Sequence, residues 1–210
     1  DPKTVYSSID RHSRYAFGNQ HKIIYWNLNI FAGTILPLLS NDKNIAVQLV
    51  QETLNQFPLI YAKKWYKMMY AKIGITNSIE EDKVLIKELL TLMEFYKADY
   101  TNTFAALTLN KQYKNSLFTS KDFNDWVKKW KKRIKNEKNS YKKMQINNPI
   151  YIPRNHLVES ALKNATNGSK EEFDNLLNSM SLTYNYNIKH DKLQTVPKDF
   201  DKSYKTFCGT

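Results

Sequence analysis

Apolar positions recur along this chain at helical spacing, and no stretch alternates apolar and polar as a half-buried strand would. From Ile23 to Leu39 runs an uncharged, mostly apolar stretch with Trp26, Leu28, Ile30, Phe31, Ile35, Leu36, Leu38 and Leu39. It is about 17 residues long, short of the ~20 that a bilayer span needs, and Asn27, Asn29 and Pro37 interrupt it. The pattern predicts a buried core helix. Asn41 or Asp42 then caps a segment carrying Ile45, Leu49, Val50 and Leu54. Pro58 opens the next, with Ile60, Tyr61, Trp65, Met68, Met69 and Ile73 on its inner face and Gly74 just past its end. Ser78 and Glu81 have the spacing of a capping box, in which each side chain satisfies the other's free backbone N–H. The helix that follows carries Val84, Leu85, Leu89, Leu92, Met93 and Tyr96.

Ser120 starts a further helix, with Phe123, Trp126, Val127, Trp130 and Ile134 on one side. Lys128, Lys129, Lys131, Lys132, Arg133 and Lys135 lie on the other, the pattern of a solvated cationic face over an apolar stripe. Past Pro149 and Pro153, Leu157, Val158 and Leu162 predict one more amphipathic helix, and Phe173, Leu176 and Leu177 a short one. From Ser179 the chain turns aperiodic and rich in Asn, Tyr and Lys, as an extended tail would be. No internal repeat appears. The expected fold class is mainly α.

Composition narrows the picture only moderately. With 210 residues, 41% apolar and 25% charged, the chain can bury a substantial core. A single Cys excludes an intrachain disulfide framework and a thiolate zinc cluster. The net charge of +12 would suit an anionic partner, yet 28 of the 32 basic residues are Lys. Arg, with its planar fork, is the better reader of phosphates and base edges, and an AT-rich genome accounts for many Lys, Asn, Ile and Tyr together. The sequence opens on Asp1-Pro2-Lys3 without a charged-then-apolar leader, so no signal peptide is expected and a bacterial cytoplasmic location is.

Candidate chemistry is sparse. The five glycines permit neither a P-loop nor a G-x-G-x-x-G. His12, His21, His156 and His190 have no metal-ligand spacing with acidic neighbours. Glu80, Glu81 and Asp82, and likewise Glu171 and Glu172, fall in first helical turns, where the macrodipole favours negative charge. The helix over 121–137 could engage phosphates and stack bases, though its Trp residues lie on the core stripe. A basic helical nucleic-acid binder built on it is the alternative reading of function. The opening loop from Ser8 to Gln20 is dense in hydrogen-bonding side chains and aperiodic, a mark of functional or over-determined loops. Pairing of Arg14 with a buried carboxylate would order it.

The same loop carries a resemblance. Asp1-Pro2, Asp10-x-x-x-Arg14-Tyr15-x-Phe17-x-Asn19-Gln20 and Trp26-Asn27-Leu28 resemble the C-terminal half of the selenoprotein O (SelO, or YdiU) family. Asp99-Tyr100-Thr101-x-Thr103-Phe104, Phe123-x-Asp125-Trp126, Asn148-Pro149, Arg154-Asn155-x-Leu157-Val158 and Cys208 follow in family order. The resemblance implies the helical lower lobe of a protein-kinase-like fold with a C-terminal extension. It also implies transfer of AMP from ATP, with Mg²⁺, to Ser, Thr or Tyr hydroxyls of proteins. On that basis 1–22 is an activation-segment-like loop, 23–178 the helical lobe, and 179–210 the tail.

The activation-segment-like residues are Asp10, Arg14, Tyr15, Asn19 and Gln20, and Cys208 is a possible redox residue. The family's ATP- and metal-binding groups lie upstream, so this segment is expected to hold no catalytic or metal residue and to bind neither ATP nor Mg²⁺ alone. Its expected partners are an N-terminal kinase-like half, on the same or another chain, and protein substrates, with no membrane. Ser13 stands where the family usually has Gly, His21 where it has Pro, and Tyr6 near the position of a Cys that pairs with the C-terminal Cys in some members.

Overall fold

The computed structural model describes residues 1–112, 115–187, 191–197 and 204. Among these a single turn of 3-10 helix, Phe17–Asn19, leads into α1 (Gln20–Leu39), α2 (Lys43–Leu54) and α3 (Phe57–Lys72). There follow α4 (Asp82–Phe95), α5 (Tyr100–Leu109), α6 (Ser116–Thr119), α7 (Lys121–Ile134) and α8 (Ser140–Asn147). The chain continues through α9 (Asn155–Thr166), α10 (Glu171–Met180) and α11 (Asp191–Gln194). The fold is mainly α, and no strand occurs among the described residues. Two compact units divide them, the first made of 1–67 with Tyr204 and the second of 68–197, so the division falls within α3.

In the first unit α1 packs on α2. The Asp42 carboxylate accepts the N–H groups of Asn44 at 2.8 Å and Ile45 at 3.4 Å, which makes Asp42, of the two candidates, the cap of α2. Tyr25, Phe57, Tyr61 and His21 form a run of aromatic contacts from α1 to α3, with His21 stacked on Tyr61 at 5.1 Å. The expectation of a buried core helix over 23–39 fails here. In α1 only Ala32 is buried, while Trp26 is 49% exposed, Phe31 61% and Leu38 83%. A helix that is apolar on every side needs neighbours on every side, and two partner helices cover one flank. The segment Phe17–Leu39 is also long and apolar enough to cross a membrane, by length and composition alone.

The second unit has a dense core. Phe118, Phe123, Trp126 and Trp130 form a ladder with centroid spacings of 4.8, 5.7 and 5.8 Å. Both indole N–H groups are satisfied inside it, Trp126 donating to the Leu85 carbonyl at 2.9 Å and Trp130 to that of Ile73 at 2.8 Å. Ser120 caps α7 as its position predicts, its hydroxyl accepting the N–H of Phe123. Gly74 ends the turn after α3 at φ +78°, and a Cβ there would lie 3.0 Å from the Ser140 side chain.

Two expectations are corrected in this unit. No capping box forms: the Ser78 and Glu81 side chains make no cap of α4, and the Asp82 carboxylate takes the N–H of Ile79 instead. Asp82 is 2% exposed, so a surface dipole role does not describe it. Its partner is Arg133, placed by the sequence on the solvated face of α7. The guanidinium grips Asp82 at 2.7 and 2.9 Å, reaches Glu137 at 3.0 Å and donates to the Asn77 carbonyl. The hydrogen bond to Asp82 is the main reason the Arg133 pKa is raised. A pair of residues 51 positions apart has no periodic signature.

The stretch after Ser179 is tied down as far as it is described. Ile150 N–H donates to Thr183, Tyr151 Oη to Ser179, Tyr186 Oη to Asn148 and the Gln194 amide to Ile150, all to backbone carbonyls.

Candidate functional site

The opening loop folds back on itself before α1 begins. Gly18 N–H donates to the Pro2 carbonyl at 2.8 Å and Phe17 N–H to that of Thr4 at 2.9 Å. A Cβ on Gly18 would sit 2.9 Å from the Pro2 oxygen, so the close approach requires glycine. Asp10 organises the turn: its two carboxylate oxygens accept the N–H groups of Arg14 at 2.8 Å and Tyr15 at 2.9 Å. The Asn19 amide donates to the Ser13 carbonyl, and the Gln20 amide to those of Tyr15 and Ala16. Ala16, at the centre, is 1% exposed.

The five residues singled out by sequence therefore separate into two groups. Asp10, Asn19 and Gln20 hold backbone, whereas Arg14 and Tyr15 turn outward. The pairing expected of Arg14 takes a different form. The ordering carboxylate is Asp10, and it holds the Arg14 N–H, which leaves the guanidinium over the Trp26 ring at 4.6 Å and the Tyr15 ring at 5.8 Å. The arrangement presents one cation and the half-exposed Tyr15 ring on a braced loop, beside the half-exposed Trp26 ring of α1. Ser13 sits at φ +56°, the left-handed region that glycine occupies without steric cost. That conformation accounts for a Gly preference at this position, and the departure to Ser was its only signal in the sequence.

Several motif residues build the second unit rather than this loop. Asp99 caps α5 through the Asn102 N–H and receives both terminal nitrogens of Arg154, at 2.9 and 3.0 Å. Asn102 adds a third contact to Arg154 and donates to the Gln194 carbonyl, so one cluster ties α5, the start of α9 and α11. Asn148 donates to the Lys72 carbonyl and the Thr108 hydroxyl, while Lys72 Nζ donates back to Asn147 and Asn148 and lies over the Phe104 ring. Burial lowers the Lys72 pKa and pushes that of Tyr100 up to about 12. Burial and then Arg154 lower the pKa of His156.

No group of three or more His, Cys, Asp or Glu able to hold a metal occurs among the described residues. His190 and Cys208 lie outside the described residues.

In comparison with known proteins, the model of the family described as protein adenylyltransferase SelO matches residues 1–181. The chain belongs to the SelO family. It is 45% identical over 215 residues to a protein nucleotidyltransferase YdiU of Clostridium botulinum. Identity is 42% over 214 residues to one of Clostridium perfringens, and 40% over 215 to one of Bacillus cereus. Each alignment takes in 100% of this chain and 44% of the relative, so the chain spans less than half the length of the curated relatives it matches.

Proposed function

We propose that this chain is the C-terminal portion of a SelO-type enzyme that moves AMP from ATP onto Ser, Thr or Tyr hydroxyls of proteins. It becomes competent only with the N-terminal kinase-like portion, carried on the same polypeptide or on another. The observation that carries this reading is the uncovered apolar surface of α1 in a chain spanning 44% of its relatives. Ile24, Trp26, Phe31 and Leu38 are exposed, and the exposure continues onto Ile45 and Val47 of α2 and Leu59 and Ile60 of α3. Exposed apolar patches of this kind mark surfaces that meet another protein element, a ligand or a membrane. Helices α2 and α3 also carry charged residues, which suits a protein partner better than lipid and agrees with a cytoplasmic location.

In this reading ATP and Mg²⁺ bind to groups of the absent portion. Residues 1–20 contribute a braced loop in which Asp10, Asn19 and Gln20 fix the backbone and Arg14 and Tyr15 face outward. Burial of Trp126 and Trp130 removes the stacking surface that the nucleic-acid alternative needs, which favours the transferase reading.

Co-expression with the N-terminal portion of the Clostridium botulinum relative tests the proposal. The two pieces are expected to copurify and to transfer label from ATP carrying a labelled α-phosphate to protein, while this chain alone transfers none. Transfer by this chain alone, or failure of the pieces to copurify, overturns it.

A further inference from the structure

The charge of this protein is concentrated. Residues 121–143 hold ten cations and three carboxylates, a net of +7 out of +12 for the whole chain. Part of this is compensated: Lys128 pairs with Asp125 at 2.8 Å, Lys129 with Glu88 at 3.1 Å, and Arg133 with Asp82 and Glu137. The remainder converges on one place. Where α7 ends and α8 begins, Lys131, Lys135 and Lys142 line an open cleft of about 540 Å³, with Tyr141 beside them. All three lysines are exposed, and none makes an ion pair or hydrogen bond among the described residues. The carboxylate that also lines the cleft, Glu137, is spent: its side chain is 4% exposed and takes Arg133 and the N–H groups of Thr76 and Asn77.

A solvated cationic face explains some of this, but not all. Lys131 and Lys135 are one helical turn apart, a spacing at which like charges repel. Lys142 lies in the first turn of α8, where the macrodipole disfavours a cation and no acidic residue offsets it. Lys131 and Lys135 sit at the C-terminal end of α7, where the macrodipole favours cations, so what opposes the cluster is the mutual repulsion of its charges and the place of Lys142, and an anion of high charge density would relieve both.

We infer that the cleft between α7 and α8 binds a phosphate chain, with Lys131, Lys135 and Lys142 as its ligands. Ammonium groups are point charges that suit clustered phosphate oxygens. A compact anion fits a single cleft better than a nucleic-acid strand, which needs a long groove and free aromatic faces. The inference stands apart from the transferase reading, because it concerns binding and needs no transfer activity.

The test is calorimetric titration of the 210-residue chain with inorganic tripolyphosphate at 150 mM salt. The triple variant Lys131→Gln/Lys135→Gln/Lys142→Gln is compared with Lys63→Gln/Lys64→Gln/Lys67→Gln, which removes the same charge from exposed positions of α3. The first is expected to weaken binding by about tenfold or more and the second by less than about twofold. Equal weakening by both would show diffuse attraction and overturn the site, as would no binding by the unaltered chain. ATP is titrated in parallel. Affinity within about threefold of tripolyphosphate assigns the site to the bare phosphate chain, and ATP binding tighter by about tenfold overturns that assignment in favour of a nucleotide. A duplex oligonucleotide or a poly-glutamate peptide bound more tightly through the same three lysines would likewise overturn it.

Discussion

The two units of this chain bury their aromatic residues to opposite degrees. In the second, Trp126 and Trp130 are 2% and 1% exposed, with their indole N–H groups satisfied by backbone carbonyls. In the first, Trp26 is 49% exposed and the helix that carries it buries a single alanine. Residue types differ little between them; what differs is the number of elements available to cover each helix. The second unit closes its own core with six helices of eight or more residues and the end of α3, whereas the first offers α1, α2 and most of α3. The apolar surface of the first unit is what the proposed N-terminal portion would cover, and the chain's relatives are more than twice as long.

The comparison would break most visibly in the second core. Trp130→Ala is expected to destabilise that unit by about 3–5 kcal/mol, through a lost aromatic side chain and an orphaned Ile73 carbonyl. Urea denaturation followed by circular dichroism would show it, and a loss under 1 kcal/mol would contradict the packing described. Next comes Arg133→Ala, which leaves Asp82 and Glu137 buried without their cation and is expected to cost about 3 kcal/mol, read as a lower thermal midpoint.

Tyr100 adds a pH test of the same core. Its phenol titrates near 10 when unfolded and is pushed up to about 12 by burial. Between those values the unfolded chain has released a proton that the folded chain keeps, so stability falls as pH rises from about 10 towards 12. The unaltered chain should lose about 1 kcal/mol more than Tyr100→Phe between pH 9 and 11, measured by denaturant midpoints. Identical slopes would show that the phenol titrates as it does in water.

Smaller effects belong to the first unit. Ser13→Gly relieves a left-handed backbone and is expected to stabilise the opening loop by about 0.5–1 kcal/mol, visible as slower amide exchange at Ala16 and Asn19. Faster exchange would mean that the serine side chain contributes more than its strain costs. Phe31→Gln, on the open face of α1, is expected to leave stability unchanged within about 0.5 kcal/mol while weakening copurification with the N-terminal portion. A large loss of stability would place Phe31 in a core that this chain already completes.

The positions of α1 to α4, α7, α9 and α10, the Ser120 cap, the inward stripe of α7 and the aperiodic opening loop were legible from spacing, because each depends on neighbours within four residues, whereas α5, α6, α8 and α11 were not predicted; α5 buries Thr101, Thr103 and Thr108 along with its apolar residues and so shows no amphipathic period. The loop's five candidate residues were legible too, as a dense polar cluster before an apolar helix. Their division into Asp10, Asn19 and Gln20 on backbone and Arg14 and Tyr15 facing outward was not, since nothing local states which donor meets which acceptor. The clusters of Asp82 with Arg133 and Asp99 with Arg154 join residues 51 and 55 positions apart, and only the folded chain brings them within reach.

By itself, then, the sequence determined a mainly helical chain, some helix starts such as that of α7, the concentration of lysines near α7 and, through its motifs, the family. Tertiary structure alone decided which charges are spent in buried pairs and which stay free in the cleft, and which apolar helix is core and which is uncovered. The reason is that local spacing sets the conformation of a segment, while burial and charge pairing depend on which distant segments arrive beside it.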